Sequence, residues 1–434
     1  MFGYYLDLAL RSLKRNKALT ALMVVAIALG IGASMTMITV LHVLTADPLP
    51  GRSAQLFYPQ IEPQGSQGTY GNGQELPTVL TWPDAMSLLH DHEGVRQAAM
   101  SGGQVTVVPP QGVAHAFFAD ARYTTADFFP MFGVPFVDGG GWTAADDDKH
   151  ARVAVIARAL ADKLYGTPHA VGRLLRLGKY DFQVIGVVDR WNPQPHFYDL
   201  NMGSYAKPEQ VYLPLQTAME LKQSTMGSMI CWGDMPADGD PRKAAKCAWM
   251  QYWVQLDTPA QVAAYRDYLI RYQERGETGK RKLRPVAHLH DLMGWLDYNH
   301  VVPGSVQLQT LLALGFLLVC LVNTVALLLV KFLRRGPELS VRRAMGASRR
   351  AVFAQLLAEA GLIGMAGGVA GGLLTVLGLW VVRQQPAKYA ALAHMDGAML
   401  ATTLAFAVSA ALLSALFPAW RACRLPPARL LKIQ

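Results

Sequence analysis

Residues 334–373 read RRGPELSVRRAMGASRRAVFAQLLAEAGLIGMAGGVAGGL, a basic polar turn that runs into an apolar, glycine-spaced helix. In the polar half, Pro337 suits a first helical turn, Glu338 complements the positive end of a helix, and Gly346 suits the position just beyond the last turn. This spacing predicts a helix of about two turns over 337–346, with Val341, Ala344 and Met345 on one face, Arg343 opposite and Arg342 on the flank. In the apolar half, residues 361–382 are long enough for a hydrocarbon core that needs ~20 helical residues. Gly364, Gly368 and Gly372 recur at spacing four, with Gly367 and Gly371 on a neighbouring strip. Small residues so placed let helix backbones approach closely, either across a subunit interface or within one subunit. Glu359, just ahead of that run, is a candidate intramembrane acid; at a helix end it can snorkel, and Arg335 or Arg349 can pair with it.

Outward from this stretch, comparable apolar runs occupy 18–44, 311–332 and 399–417, while roughly 45–304 has ordinary globular composition. The expected layout is therefore α-helical in the membrane, with four helices arranged 1+3 and a large α+β extracytoplasmic domain of two subdomains inserted between helices 1 and 2. Its parts are an amphipathic segment 1–17, helix 18–44, outer domain 45–304, helix 305–332, inner loop 333–350, helix 351–382, outer loop 383–398, helix 399–417 and tail 418–434. The first run is expected to stay as an anchor, because its apolar core far exceeds the ~7 to 15 residues of a cleavable signal. Arg11, Lys14, Arg15 and Lys17, the seven basic residues from Lys331 to Arg350, and Arg421, Arg424, Arg429 and Lys432 all fall on one side of such a chain. By the positive-inside rule that side is cytoplasmic, which puts both termini inside. These fifteen basic residues more than account for the net charge of +9. Topology signals and anionic membrane lipids explain them without nucleic acid.

In the outer domain, Thr81, Pro83 and Asp84 open a helix, and residues 105–108, 116–119, 153–156, 174–177, 182–188, 251–256 and 284–289 read as strands, with a helix over 261–275. The glycine- and glutamine-rich stretch 62–75 carries no periodicity and reads as a connection. Elements from the two ends of the domain pair naturally as one α+β layer, with a β-rich middle inserted. Only Cys231 and Cys247 share the oxidising side; they form either one disulfide or two buried free thiols.

The loop Arg335-x-x-Glu338-x-x-x-Arg342-Arg343-Ala344-x-Gly346-Ala347, the Glu359-Ala360 pair and the glycine-rich helix together resemble the MacB/FtsX family of ABC-type permeases. Asn16-Lys17, Gly30-Ile31-Gly32, the phrase at 182–188 and the ending at 417–422 agree in order. Residues 153–156, 164–166, 170–172 and 211–214 resemble the larger MacB-type periplasmic core rather than the small FtsX type. The resemblance implies a membrane-proximal α/β subdomain, a distal β-rich one, and a coupling role for the 337–346 helix, with Glu338, Val341, Arg342, Arg343, Met345 and Gly346 as the contacts to an ATPase.

No Gly-x-x-x-x-Gly-Lys-Ser/Thr occurs, so ATP and Mg are expected on a separate ATPase subunit in two copies, with no cofactor bound by this chain. The pairs His90/His92 and His288/His290 lack a convincing third ligand, and no hydrolase motif stands out. The expected protein is thus a non-catalytic permease of the cell inner membrane, paired with a second copy or a paralogue. A membrane-fusion adaptor and outer-membrane channel are candidate further partners. Export of a peptide, drug or other amphiphile is the leading function; FtsX-like regulation of a cell-wall hydrolase and lipoprotein release are the alternatives.

Overall fold

The computed structural model describes residues 17–63, 75–110, 115–275, 286–385, 389–390 and 397–424. The expected amphipathic segment before Lys17, most of the 62–75 connection, the first two residues of the 284–289 strand, most of the 383–398 loop and the last ten residues of the tail lie outside them. Two compact units result, Ala46–Val301 and the remainder.

Along the chain, α1 (Lys17–Thr45) precedes β1 (Leu56–Ile61), β2 (Leu80–Thr81), α2 (Trp82–Asp91), β3 (Arg96–Val108) and β4 (Phe117–Thr124). There follow α3 (Phe128–Phe132), β5 (Phe136–Gly139), α4 (Ala144–Asp148), β6 (Val153–Ala157), α5 (Arg158–Tyr165), β7 (Leu174–Leu177) and β8 (Tyr180–Val188). Next come β9 (Val211–Pro214), α6 (Leu215–Glu220), β10 (Ser224–Met226), β11 (Ile230–Cys231), β12 (Cys247–Gln255), α7 (Pro259–Arg275), β13 (Ala287–Asp291) and α8 (Leu292–Tyr298). The chain ends with α9 (Gly304–Arg334), α10 (Gly336–Ala344), α11 (Arg349–Arg383) and α12 (Gly397–Arg424).

In the Ala46–Val301 unit the strands lie in the order β13-β1-β12-β3-β4-β9-β6-β8-β5, with β2 and β11 on β12, β10 on β3, and β7 between β3 and β8. Strands from both ends of the domain interleave as the sequence suggests. The middle continues the same sheet through β3, whose residues 96–100 pair with β12 and 100–107 with β4. Gly103 makes that join compact, because a Cβ there would sit 2.2 Å from the Tyr123 ring. Side chains alternate across the sheet into two cores. Phe57, Ala99, Tyr252 and Val254 meet α2, α5, α6 and α7 on one face; Tyr58, Ala98, Met100 and Trp253 meet α3 and α8 on the other. The middle segment also holds the short helices α3 to α6, too brief to show a 3.6-residue period among its strands.

In the other unit, α1 packs against α9 and α11, and α12 packs against the same two helices. Met23, Ile27, Ile31, Leu328, Leu356 and Ala411 form part of its core. Leu311, Leu312, Leu318, Leu373 and Trp380 remain exposed, as suits helices bathed in lipid. Hydroxyls of Thr36, Thr324, Thr375 and Ser414 donate to the carbonyl four residues back, satisfying themselves without water. Among the described residues, four helices are long and apolar enough to cross a membrane.

Candidate coupling site

The two-turn helix α10 has Pro337 in its first turn, and Gly346 follows it with φ +99°, a left-handed conformation that suits glycine just past a helix end. Ser348 then caps α11, its hydroxyl oxygen accepting from the Ala351 N–H at 3.2 Å. Leu339 is buried, and the Ser340 hydroxyl donates to the Gly336 carbonyl. Arg342 Nη1 donates to Gln355 Oε1 of α11 at 3.0 Å, and Arg343 Nη1 donates to the Cys423 carbonyl of α12 at 3.3 Å. Both arginines therefore fasten α10 to its own bundle. On the remaining side Val341 is 47% and Met345 76% exposed, with Ala344 exposed between them.

A charge cluster anchors the start of α10. Arg335 reaches Glu338 at 3.2 Å and Glu359 Oε2 at 2.7 Å, while Lys331 Nζ lies 2.6 Å from Glu359 Oε1 and 3.3 Å from Thr20 Oγ1. Glu359 does not snorkel: it is buried in the bundle and held by Arg335, one of its two expected partners, and by Lys331. Arg349 instead lies exposed. Lys331 was readable only as a topology signal, because no pattern links positions 331 and 359 until α1 and α12 gather α9 and α11 into one bundle.

The glycines of α11 serve two neighbours within one subunit. A Cβ on Gly364 or Gly368 would lie 2.5 or 2.8 Å from Ala411 or Ala407 of α12, and one on Gly367 or Gly371 would lie 2.6 or 2.9 Å from Ile27 or Ile31 of α1. Gly372 is looser, at 3.5 Å from Leu400. Spacing-four glycines thus seat α12, and the adjoining strip seats α1.

In the outer domain Cys231 and Cys247 are bonded, directly opposite one another on β11 and β12. His90 and His92 are exposed, His92 ending α2 in the left-handed region. His290 faces Gln60 Oε1 at 3.1 Å, and burial with the neighbouring His288 pushes its pKa down. Among the described residues no three His, Cys, Asp or Glu side chains cluster as metal ligands. One ion network had no sequence signal. Arg122, fully buried on β4, pairs with Asp199 and Glu209, and Tyr198 donates to Glu209 at 2.6 Å. Burial raises the Glu209 pKa, but the Arg122 guanidinium, His196 and the Tyr198 hydroxyl together outweigh it and hold the carboxyl well below the usual range.

Residues 20–272 match the family described as MacB-like periplasmic core domain, and residues 310–427 that described as FtsX-like permease C-terminal. The chain is 25% identical over 434 residues to a pyoverdine export ATP-binding/permease protein of Pseudomonas entomophila, covering 98% of this chain and 59% of the relative. It is 24% identical over 423 residues to a macrolide export ATP-binding/permease protein of Marinobacter nauticus, covering 96% and 59%. The chain thus spans about three fifths of the length of these relatives. The periplasmic region of MacB from Actinobacillus actinomycetemcomitans aligns with a TM-score of 0.36 at 14% identity, over 57% of this chain and 94% of that one. With four apolar helices among the described residues, one before and three after a large mixed α/β domain in the sequence, and with more than half its length in the first match, the chain belongs to the family of FtsX-like permeases that carry a MacB-like periplasmic core.

Proposed function

We propose that the chain is the membrane subunit of an ATP-driven machine in the inner membrane, with both termini and α10 cytoplasmic and the Ala46–Val301 unit outside. An ATPase lying outside these 434 residues presses on Val341, Ala344 and Met345. Displacement of α10 then reaches α9 and α11 through Arg335, Glu359 and Lys331, and the helices carry it to the outer domain as mechanical work. The observation that supports this is the asymmetry of α10: its charged flanks are fastened to the bundle while its apolar face stays open. An exposed apolar face marks a protein or membrane contact, and membership in a permease family favours the protein.

Two relatives are named for export of pyoverdine and of macrolides, which favours export of a peptide, drug or other amphiphile over hydrolase regulation or lipoprotein release. Two permease copies, or this chain and a paralogue, work with two ATPase copies that hold ATP and Mg; a membrane-fusion adaptor and outer-membrane channel complete the route. Mild-detergent purification of the tagged chain tests this. Wild type should bring an ATPase with it, and the double variant Val341→Asp/Met345→Asp should lose that ATPase. Undiminished ATPase recovery and turnover in the variant would contradict the assignment.

A further inference from the structure

Away from α10, the outer domain carries an open groove of about 740 Å³, inside the ~300–1,000 Å³ range usual for small-molecule sites. Two arginines, Arg52 and Arg96, and three aromatic rings, Phe129, Phe136 and Trp142, line it, with Ala144 exposed on its rim. Asp127 is the one acid in the lining, and its Oδ2 accepts from the Gln97 N–H at 2.9 Å. Among the described residues neither arginine forms an ion pair: Arg96 Nη1 donates to the neutral Gln255 at 3.0 Å, and Arg52 bonds only to carbonyls.

The fold fixes both the charged and the apolar side of this groove. Arg52 Nη1 donates to the Pro130 carbonyl at 3.0 Å, and the guanidinium lies against Gly133, where a Cβ would stand 2.9 Å from Cζ and Nε and 3.2 Å from Nη2. Pro130 and Gly133 are themselves groove residues, so the exposed charged head of Arg52 forms part of the wall. Its Nε and Nη2 make no bond among the described residues; side by side, they are the edge that holds a carboxylate through two parallel bonds. On the apolar side, Phe129 packs on the groove residue Gly141, where a Cβ would meet its ring at 2.4 Å. Trp142 meets Phe129 edge to face at 4.7 Å between centroids, and Phe136 extends the wall at 5.5 Å.

We infer that this groove binds a small organic acid, its apolar body on the Phe129 and Trp142 wall and its acidic group on the free edge of Arg52. Capping the last carbonyls of α3 occupies Nη1 alone, so that structural duty leaves the Nε and Nη2 edge open. A neutral ligand leaves this edge without a charged acceptor, and an ammonium is repelled by it. The apolar body has two sources, an aromatic ring or a short acyl chain. The site stands whether or not the chain exports anything, because no step of ATP-driven movement enters the argument.

Saturation-transfer NMR titrations on the full chain in a nonionic detergent test the site with 3-phenylpropionate, hexanoate and the neutral amide of each. At least one acid should bind, and its amide should bind about fivefold more weakly, as for one charge-assisted pair at a half-open site. Tighter binding of 3-phenylpropionate identifies the aromatic source, and tighter binding of hexanoate the acyl source. Arg52→Gln should weaken the acid by about fivefold. Ala144→Trp, which fills the groove from its exposed rim and removes no charge, should block it. Equal binding of an acid and its amide, no transfer to either acid, or acid binding unchanged in either folded variant would overturn the inference. The amide comparison needs no variant, so it decides the matter even where the change at Arg52 disturbs α3.

Discussion

Lys331 Nζ and Glu359 Oε1 lie 2.6 Å apart with both side chains sealed from solvent, 0% and 1% exposed. Such a pair resists the loss of one partner more than the loss of both, because a lone buried charge keeps its desolvation cost. Glu359 also serves Arg335, so Glu359→Leu leaves Lys331 without its carboxylate and takes one of the two bridges of Arg335, whereas Lys331→Met leaves the Arg335–Glu359 bridge intact. We expect Glu359→Leu to destabilise by about 3–5 kcal/mol and Lys331→Met by less, with the double variant milder than the sum. Thermal unfolding in detergent checks the order; a larger effect from Lys331→Met would contradict it.

The glycine contacts predict a graded alanine series. Gly364→Ala and Gly367→Ala place a methyl at 2.5 and 2.6 Å from Ala411 and Ile27, and overpacking of this kind costs about 1–3 kcal/mol. Gly372→Ala meets only Leu400 at 3.5 Å and should be neutral or slightly stabilising, since alanine is the better helix former by about 1 kcal/mol. Melting temperatures of the three variants read this out directly.

Asp147 gives a pH signature. Burial pushes its pKa up to about 7, against an ordinary value near 4, although its Oδ2 accepts from the Ala126 N–H at 2.7 Å. The folded state therefore holds a proton that the unfolded state releases between pH ~4 and 7, and stability falls as pH rises through that window. With screening, the effect should be on the order of 2 kcal/mol. Asp147→Asn should flatten this part of the pH profile of unfolding; a wild-type slope in the variant would refute the assignment.

Reduction or Cys231→Ser should loosen the segment between β11 and β12, which the disulfide and the short ladder tie at its ends and buried Ala244 holds within. A loop of this size carries about 3 kcal/mol of cross-link stabilisation. Limited proteolysis should then cut within 232–246, and the non-reduced wild-type protein should resist. Maleimide labelling of both thiols without reductant would show that the bond is absent.

Much of the membrane unit was legible because its signals are long: each span repeats one property over five turns or more, and glycine spacing reports packing wherever it recurs. Pro337 and Gly346 were equally readable, since each residue type suits a specific backbone geometry. Packing created what remained hidden. Lys331 meets Glu359 only once α9 and α11 join one bundle, and Arg122 meets Asp199 and Glu209 across 77 and 87 residues of chain. Strand β1, Leu-Phe-Tyr-Pro-Gln-Ile, gave no strand signal, for its six residues are all buried and Pro59 interrupts the pattern. In α10 the pattern identified the helix, but the partners of Arg342 and Arg343 turned those residues from an outward contact into fastenings.

The central claim is that the open face of α10 receives the ATPase. A photo-crosslinking amino acid at Met345, 76% exposed, should capture a polypeptide containing a Gly-x-x-x-x-Gly-Lys-Ser/Thr motif, identified by mass spectrometry of the cross-linked band. The same probe at Leu373, 70% exposed on a spanning helix, should not. Capture of only lipid at Met345, or equal capture of that ATPase at both positions, would contradict the account.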